Sequence, residues 1–223
     1  MSTIKKKNIS LVNAQKIQDI NNRINKEICH DTIQKLKDTS LINEYKECKS
    51  VQNEITKLEL ILKKYNVKSN KIELIINDYI LDLIPAGTKG VIRGNVFNNV
   101  VKNTIKSFKL DDKRFDVQFE KDCKICMTSE RPDWYVHEIN TGKIIIGMNQ
   151  LALWGGGQQI NRGYKYIIDN KHNTEKSKLL CVVCNHKKFD TYNKETTLFE
   201  VGFTNNTLTY LKNLESIINN YFT

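Results

Sequence analysis

The chain has 223 residues, with 35 Lys and Arg against 25 Asp and Glu, giving a formal net charge of +10. Hydrophobic residues make up 39 %, and no apolar run approaches the roughly 18–20 residues that span a bilayer. Lys5, Lys6 and Lys7 have no apolar stretch behind them, so neither a membrane span nor a secretory signal is expected. The length suffices for a sizeable core, in one large domain or two small ones. Lysines and arginines that neutralise phosphates release counterions and give affinity without reading sequence. The excess of positive charge therefore favours a nucleic-acid partner, DNA first and RNA second, with no membrane partner. A cytoplasmic location is expected, or a nucleus-associated one for a eukaryotic or viral source.

The first third reads as helical. Ile17, Ile20, Ile24 and Ile28 recur at helical spacing, as do Tyr45, Cys48, Val51, Ile55, Leu58 and Leu62. Between these stripes Asp38-Thr39-Ser40 supplies good N-cap residues for a second helix. A helical hairpin or a pair that forms a homodimer follows from this pattern. A third helix is predicted over Lys71–Leu83, ending where Pro85 disfavours α geometry at Ile84. Residues 1–84 thus read as a helical arm and 85–223 as a mixed α/β domain. The basic stretch Gly87–Gly94 reads as a loop in which Lys89 and Arg93 contact phosphate, or as a plain connection. A helix over Asn95–Phe108 follows, with Val96, Phe97, Val100, Val101, Ile105 and Phe108 inward.

The pattern then turns to strands. They are predicted at Phe115–Phe119, Asp133–Ile139, Lys143–Gly147, Tyr164–Ile168 and Leu179–Val183. Gly155-Gly156-Gly157 makes a flexible joint that leads into Gln158, Gln159, Asn161 and Arg162. Arg pairs with guanine and Asn or Gln with adenine, so these side chains, with Lys165, are candidate nucleic-acid contacts.

Cys29 and Cys48 read as ordinary small residues. The other four cysteines form two C-x-x-C pairs, Cys123/Cys126 and Cys181/Cys184. Such turns hold two thiolates at tetrahedral spacing, and two of them complete a closed structural Zn²⁺ site with no open position for water. A thioredoxin-like redox pair is the alternative. The expected fold class is α+β, a helical arm followed by a mixed α/β domain closed by four-cysteine zinc.

Two resemblances follow from these motifs. Cys123-x-x-Cys126, Val136-His137-Glu138-Ile139, the glycine-rich joint and Leu180-Cys181-Val182-Val183-Cys184-Asn185 resemble the zinc-knuckle HNH nucleases. That resemblance implies a hairpin and helix around one divalent ion. His137 and Glu138 would be its paired first motif, in reverse of the family order, and His172 or Asn173 the later one. Arg131-Pro132-Asp133-Trp134-Tyr135-Val136, followed by Lys143-Ile144-Ile145-Ile146-Gly147-Met148-Asn149-Gln150, is similar instead to the PD-(D/E)xK restriction endonucleases. This second resemblance implies Asp133 as the first carboxylate of a Mg²⁺ or Mn²⁺ site. Asn149 or Gln150 would stand where the family has its second acid and its lysine. It also implies a helix through Gln158–Tyr166 in place of the strand at Tyr164–Ile168. Both resemblances imply a DNA endonuclease, restriction-like by the second, with a separate structural zinc. The alternative is a non-catalytic zinc-stabilised DNA- or RNA-binding regulator.

Overall fold

The computed structural model describes residues 10–37, 41–123, 131–153, 161–168, 173–184 and 188–223. Asp38-Thr39-Ser40, Cys126, the triple-glycine joint, Gln158, Gln159 and His172 lie outside them. The chain forms two compact units, His30–Phe97 on one hand and Met1–Cys29 with Asn98–Thr223 on the other. No helix among the described residues is long and apolar enough to cross a membrane.

The His30–Phe97 unit is helical. It holds α2 (His30–Lys35), α3 (Ile42–Glu47), α4 (Lys49–Lys64), α5 (Ser69–Leu83) and the start of α6 (Ala86–Ser107). Leu41, Tyr45, Val51, Ile80, Ile84 and Ile92 form its core, so the stripe from Tyr45 onward serves packing. The stretch Gly87–Gly94 is helix and not loop, a correction to the sequence reading. Pro85 lacks the N–H that a first helical turn leaves unused, and its carbonyl accepts from the Lys89 N–H. The same proline that stops α5 therefore starts α6. Lys89 and Arg93 consequently sit on α6 within this unit and build no phosphate-cradling loop.

The other unit is a mixed five-stranded sheet with helices. Its strands β1 (Phe115–Phe119), β2 (Trp134–Glu138), β3 (Ile144–Gln150), β4 (Ser177–Val183) and β5 (Leu208–Tyr210) lie in sequence order across the sheet. The first three form an antiparallel meander, with Phe119 opposite Trp134 and Trp134 opposite Gly147. The β4 strand runs parallel to β3, with Met148 opposite Cys181, and β5 parallel to β4. Gly142, at φ +70°, turns the β2–β3 hairpin.

A parallel neighbour needs a crossover, and the β3–β4 crossover includes a helical stretch over 161–168. That stretch comprises residues 161–163 and a π-helical turn at Tyr164–Ile168. This corrects the predicted strand there: Tyr166 and Ile167 are buried, and a short apolar run does not distinguish strand from helix. Central strands buried on both faces read as continuous apolar runs, as Ile144–Ile146 and Leu179–Val183 do.

Helix α1 (Leu11–Glu27) belongs to this unit, so its isoleucine stripe serves the sheet domain. Lys16 pairs with Glu200 at 2.7 Å. The Asn21 amide donates to the Phe189 carbonyl at 2.9 Å and accepts from its N–H at 3.1 Å. Glu200 stands on α7 (Lys194–Thr204), whose N-terminus is closed by an Asn193 capping box. Helix α8 (Leu214–Tyr221) ends the fold.

Candidate active site

Asp133 stands immediately before β2, where the end of β1 and the carboxyl end of β3 meet. Its backbone joins both neighbours: its N–H donates to the Gly147 carbonyl at 3.1 Å, and its carbonyl accepts from the Glu120 N–H at 2.9 Å. The carboxylate takes two further donors. The Asn149 backbone N–H reaches Oδ2 at 2.6 Å, and the Asn98 amide of α6 reaches Oδ1 at 3.2 Å. The Asn149 side chain donates to Asn98 Oδ1 at 3.0 Å and accepts from the Trp134 indole N–H at 3.1 Å. Asp133, Asn149, Asn98 and Trp134 are thereby one network.

The network depends on a close approach. A Cβ on Gly147 would lie 1.8 Å from the Trp134 ring, so the indole lies directly on a backbone position with no side chain. Only glycine permits that contact, and it is what aims the indole N–H at Asn149.

Burial raises the Asp133 carboxyl above its ordinary range, against the hydrogen bonds from Asn149 and Asn98, which lower it. The Glu120 charge raises it further and the Arg162 guanidinium lowers it. A desolvated carboxylate held by amides beside a second acid favours a cation more than an isolated surface acid does. Glu120 directly follows β1, with its N–H on the Asp133 carbonyl, in the left-handed region at φ +50°. Non-glycine residues there are uncommon and cluster at functional sites. Sequence reading missed Glu120, because only the strand register places it beside Asp133.

The other predicted residues fall elsewhere. Gln150 is buried at the end of β3, opposite Val183. His137 is half-buried in β2 opposite Ile144. Glu138 is buried at the far end of β2, five residues or roughly 17 Å of strand from Asp133. Its carboxylate accepts from Arg114 Nε at 2.6 Å and from the Thr141 hydroxyl, and Arg114 also donates to the Phe222 carbonyl at 2.8 Å. The Thr141 and Arg114 hydrogen bonds hold the Glu138 carboxyl below its ordinary range. Asn173 spends its amide oxygen on the Leu179 N–H at 2.7 Å. His137 and Glu138 therefore do not meet Asp133, and Glu138 serves as a structural ion-pair partner. Asn161 and Arg162 are exposed on the crossover helix. Lys165, on the same helix, lies 5.8 Å from the Tyr166 ring centroid.

Of the four paired cysteines, Cys181 and Cys184 are buried thiols at the end of β4. Burial pushes the Cys181 thiol strongly up, and both cysteines act on the buried Tyr210 hydroxyl. Cys123 is disulfide-bonded, and in that state its sulfur offers no thiolate to a metal. No group of three or more His, Cys, Asp or Glu able to hold a metal occurs among the described residues.

No protein-family model matches this sequence, and neither a curated protein nor a solved structure matches it significantly.

Proposed function

We propose that this chain is a metal-dependent DNA endonuclease of the restriction type, with Asp133 as its central carboxylate. The observation that carries the reading is the Asp133 constellation. A desolvated acid just before β2 is fixed by Asn149 of β3 and Asn98 of α6, opposite a second acid just after β1. The order of elements supports the same reading. Helix α6, the antiparallel pair β2 and β3, a crossover containing a helix and the parallel strand β4 follow one another in the helix and β-β-α-β order that the restriction-endonuclease resemblance implies, with β1 as an additional strand. In open sheets with parallel strands, ligands gather at the carboxyl ends, and Asn149 lies at that end of β3.

The donors are all oxygens. Mg²⁺ keeps several waters and is held by one or two carboxylates together with substrate phosphates. Asp133 and Glu120 fit that demand, and Mn²⁺ would take the same donors. Bound there, such an ion would acidify water and stabilise charge on the phosphate undergoing displacement. The protein's own part is placement: Asn149 and Asn98 fix the Asp133 carboxylate, and Trp134 fixes Asn149. Because the Asn149 oxygen is engaged by the indole, Asn149 is a positioning residue. His137 and Glu138 take no part. Cys123, Cys126, Cys181 and Cys184 are assigned to a structural Zn²⁺ in the reduced chain, with no role in the chemistry. The net charge of +10 supplies general attraction to DNA.

A second reading, a DNA- or RNA-binding regulator on the same fold, rests on the net charge of +10 and needs no catalytic metal. Supercoiled plasmid, purified protein of known zinc content, and Mg²⁺ or Mn²⁺ against EDTA separate the two. Metal-dependent nicking or discrete fragments support the endonuclease. Retarded but intact DNA supports the regulator.

A further inference from the structure

The parallel strands β3, β4 and β5 end on one edge of the sheet, where their register sets Asn149, Val182 and Thr209 in one row. The start of β2 lies at the same edge, because Trp134 pairs with Gly147. Asp133 therefore shares that edge with the chain that follows β5, three strand spacings or about 14 Å across. The 3₁₀ turn Leu211–Asn213 follows β5 and makes one wall of a cleft of about 430 Å³, with the end of α1 as the other wall. Asn22, Arg23, Lys26, Glu27, Lys212 and Asn213 line it, with no apolar residue among them.

Three cations meet one acid in this cleft, and the acid is already paired. Glu27 is buried and accepts from Arg23 Nε at 2.7 Å. The same guanidinium donates to the Phe203 carbonyl at 3.1 Å and stacks on the Phe203 ring at 4.2 Å. Lys212 donates to the Lys26 carbonyl at 3.1 Å, which fixes its ammonium at the cleft and offsets the negative end of the α1 dipole. Lys26 and Lys212 close no salt bridge among the described residues. Asn213 stands at the N-cap of α8, where asparagine usually caps, yet its side chain accepts no N–H of that helix. Two uncompensated positive charges beside two side-chain amides select an anion with several acceptor oxygens.

We propose that this cleft holds a backbone phosphate of DNA lying along the carboxyl edge of the sheet. Lys26 and Lys212 supply the charge, and the Asn22 and Asn213 amides supply further donors. The inference takes its partner from the endonuclease reading, but the contact is measurable without cleavage. Small-ligand pockets are mostly apolar, whereas a wholly polar lining suits a passing phosphodiester backbone. A duplex advances about 3.4 Å per base pair, so about four base pairs cover the separation of β5 from β2. The cleft anchors the duplex and touches no reacting atom.

Full-length wild type, Lys26→Ala, Lys26→Arg and Lys64→Ala are compared on a fluorescein-labelled duplex in EDTA across a salt series, and on plasmid in Mg²⁺. Lys64 is an exposed lysine of α4, in the other unit, and controls for net charge. Loss of one phosphate contact lowers the slope of log affinity against log salt by about one. That fall is expected for Lys26→Ala, with an unchanged melting temperature, while Lys26→Arg and Lys64→Ala keep the wild-type slope. An unchanged slope in Lys26→Ala overturns the proposal. An equal fall in Lys64→Ala also overturns it, since the attraction would then be general. Calorimetric titration with inorganic phosphate is the remaining arm: Lys26-dependent uptake with an unchanged duplex slope would assign the cleft to a free anion instead. Cleavage by wild type with an unchanged slope in Lys26→Ala removes the cleft and leaves the endonuclease reading standing. A fallen slope without cleavage by wild type removes that reading and leaves the cleft standing.

Discussion

A buried acid, Glu138, ends β2 and a half-buried one, Asp133, immediately precedes it, and the protein treats them oppositely. At Glu138 an arginine, a threonine hydroxyl and the hairpin turn close on the carboxylate, which is held below its ordinary range. At Asp133 the partners are amides and a backbone N–H, the neighbour opposite is another acid, and burial holds the carboxyl above its range. A saturated ion pair leaves no capacity for a ligand, so Glu138 stabilises the fold. A desolvated acid with no salt bridge among the described residues retains capacity for a ligand, and the proposed metal chemistry is therefore assigned to Asp133. Two titratable groups whose surroundings push them apart are a guide to function.

The largest effect should come from Asp133→Asn. The amide keeps the shape and much of the hydrogen bonding, so folding should survive while plasmid cleavage is lost. Cleavage at the wild-type rate would remove Asp133 from the site. Next in size is Gly147→Ala. The new methyl must displace the Trp134 ring, and overpacking of this kind costs about 1–3 kcal/mol. Urea denaturation would read that cost, and a stability equal to wild type would mean that the indole is not seated on Gly147.

Glu138→Gln bears on the other end of the strand. The carboxyl is held below its unfolded value of about 4.3. Its contribution to stability is therefore present above that pH and lost as pH falls through the lower folded value. The variant should lower the melting temperature at neutral pH and flatten its decline in acid, without affecting cleavage. A melting curve against pH that overlays wild type would show the Arg114 pair to be idle. The smallest effect is expected from His137→Ala, which should leave cleavage and melting nearly unchanged. A large loss of cleavage there would restore the HNH-type assignment and overturn the contrast drawn between the two ends.

Local sequence carried much of this fold. Alternation in Phe115–Phe119 and the apolar runs of β3 and β4 marked strands because burial dictates side-chain pattern. Pro85 marked a helix boundary. Glycine content misled at Gly87–Gly94, where the helix-starting effect of Pro85 prevails over the weak helix preference of three glycines. Tyr164–Ile168 misled because five mostly apolar residues have no period long enough to decide. The site was half legible. Pro132-Asp133 and Asn149 could be found from motif order, but Glu120 and Asn98 could not. Strand register brings one to Asp133, and helix packing brings the other. Likewise, the pairing of Glu138 with Arg114 spans 24 positions in the chain, and nothing local announces it.

Chemistry is proposed for the Asp133 end of β2 and stability for the Glu138 end. The most direct test is plasmid cleavage in Mg²⁺ or Mn²⁺ by wild type, Asp133→Asn and Glu138→Gln, each shown to be folded and DNA-binding. Metal-dependent cleavage is expected from wild type and Glu138→Gln and none from Asp133→Asn. Cleavage by Asp133→Asn, or its loss in a folded Glu138→Gln, would contradict this assignment.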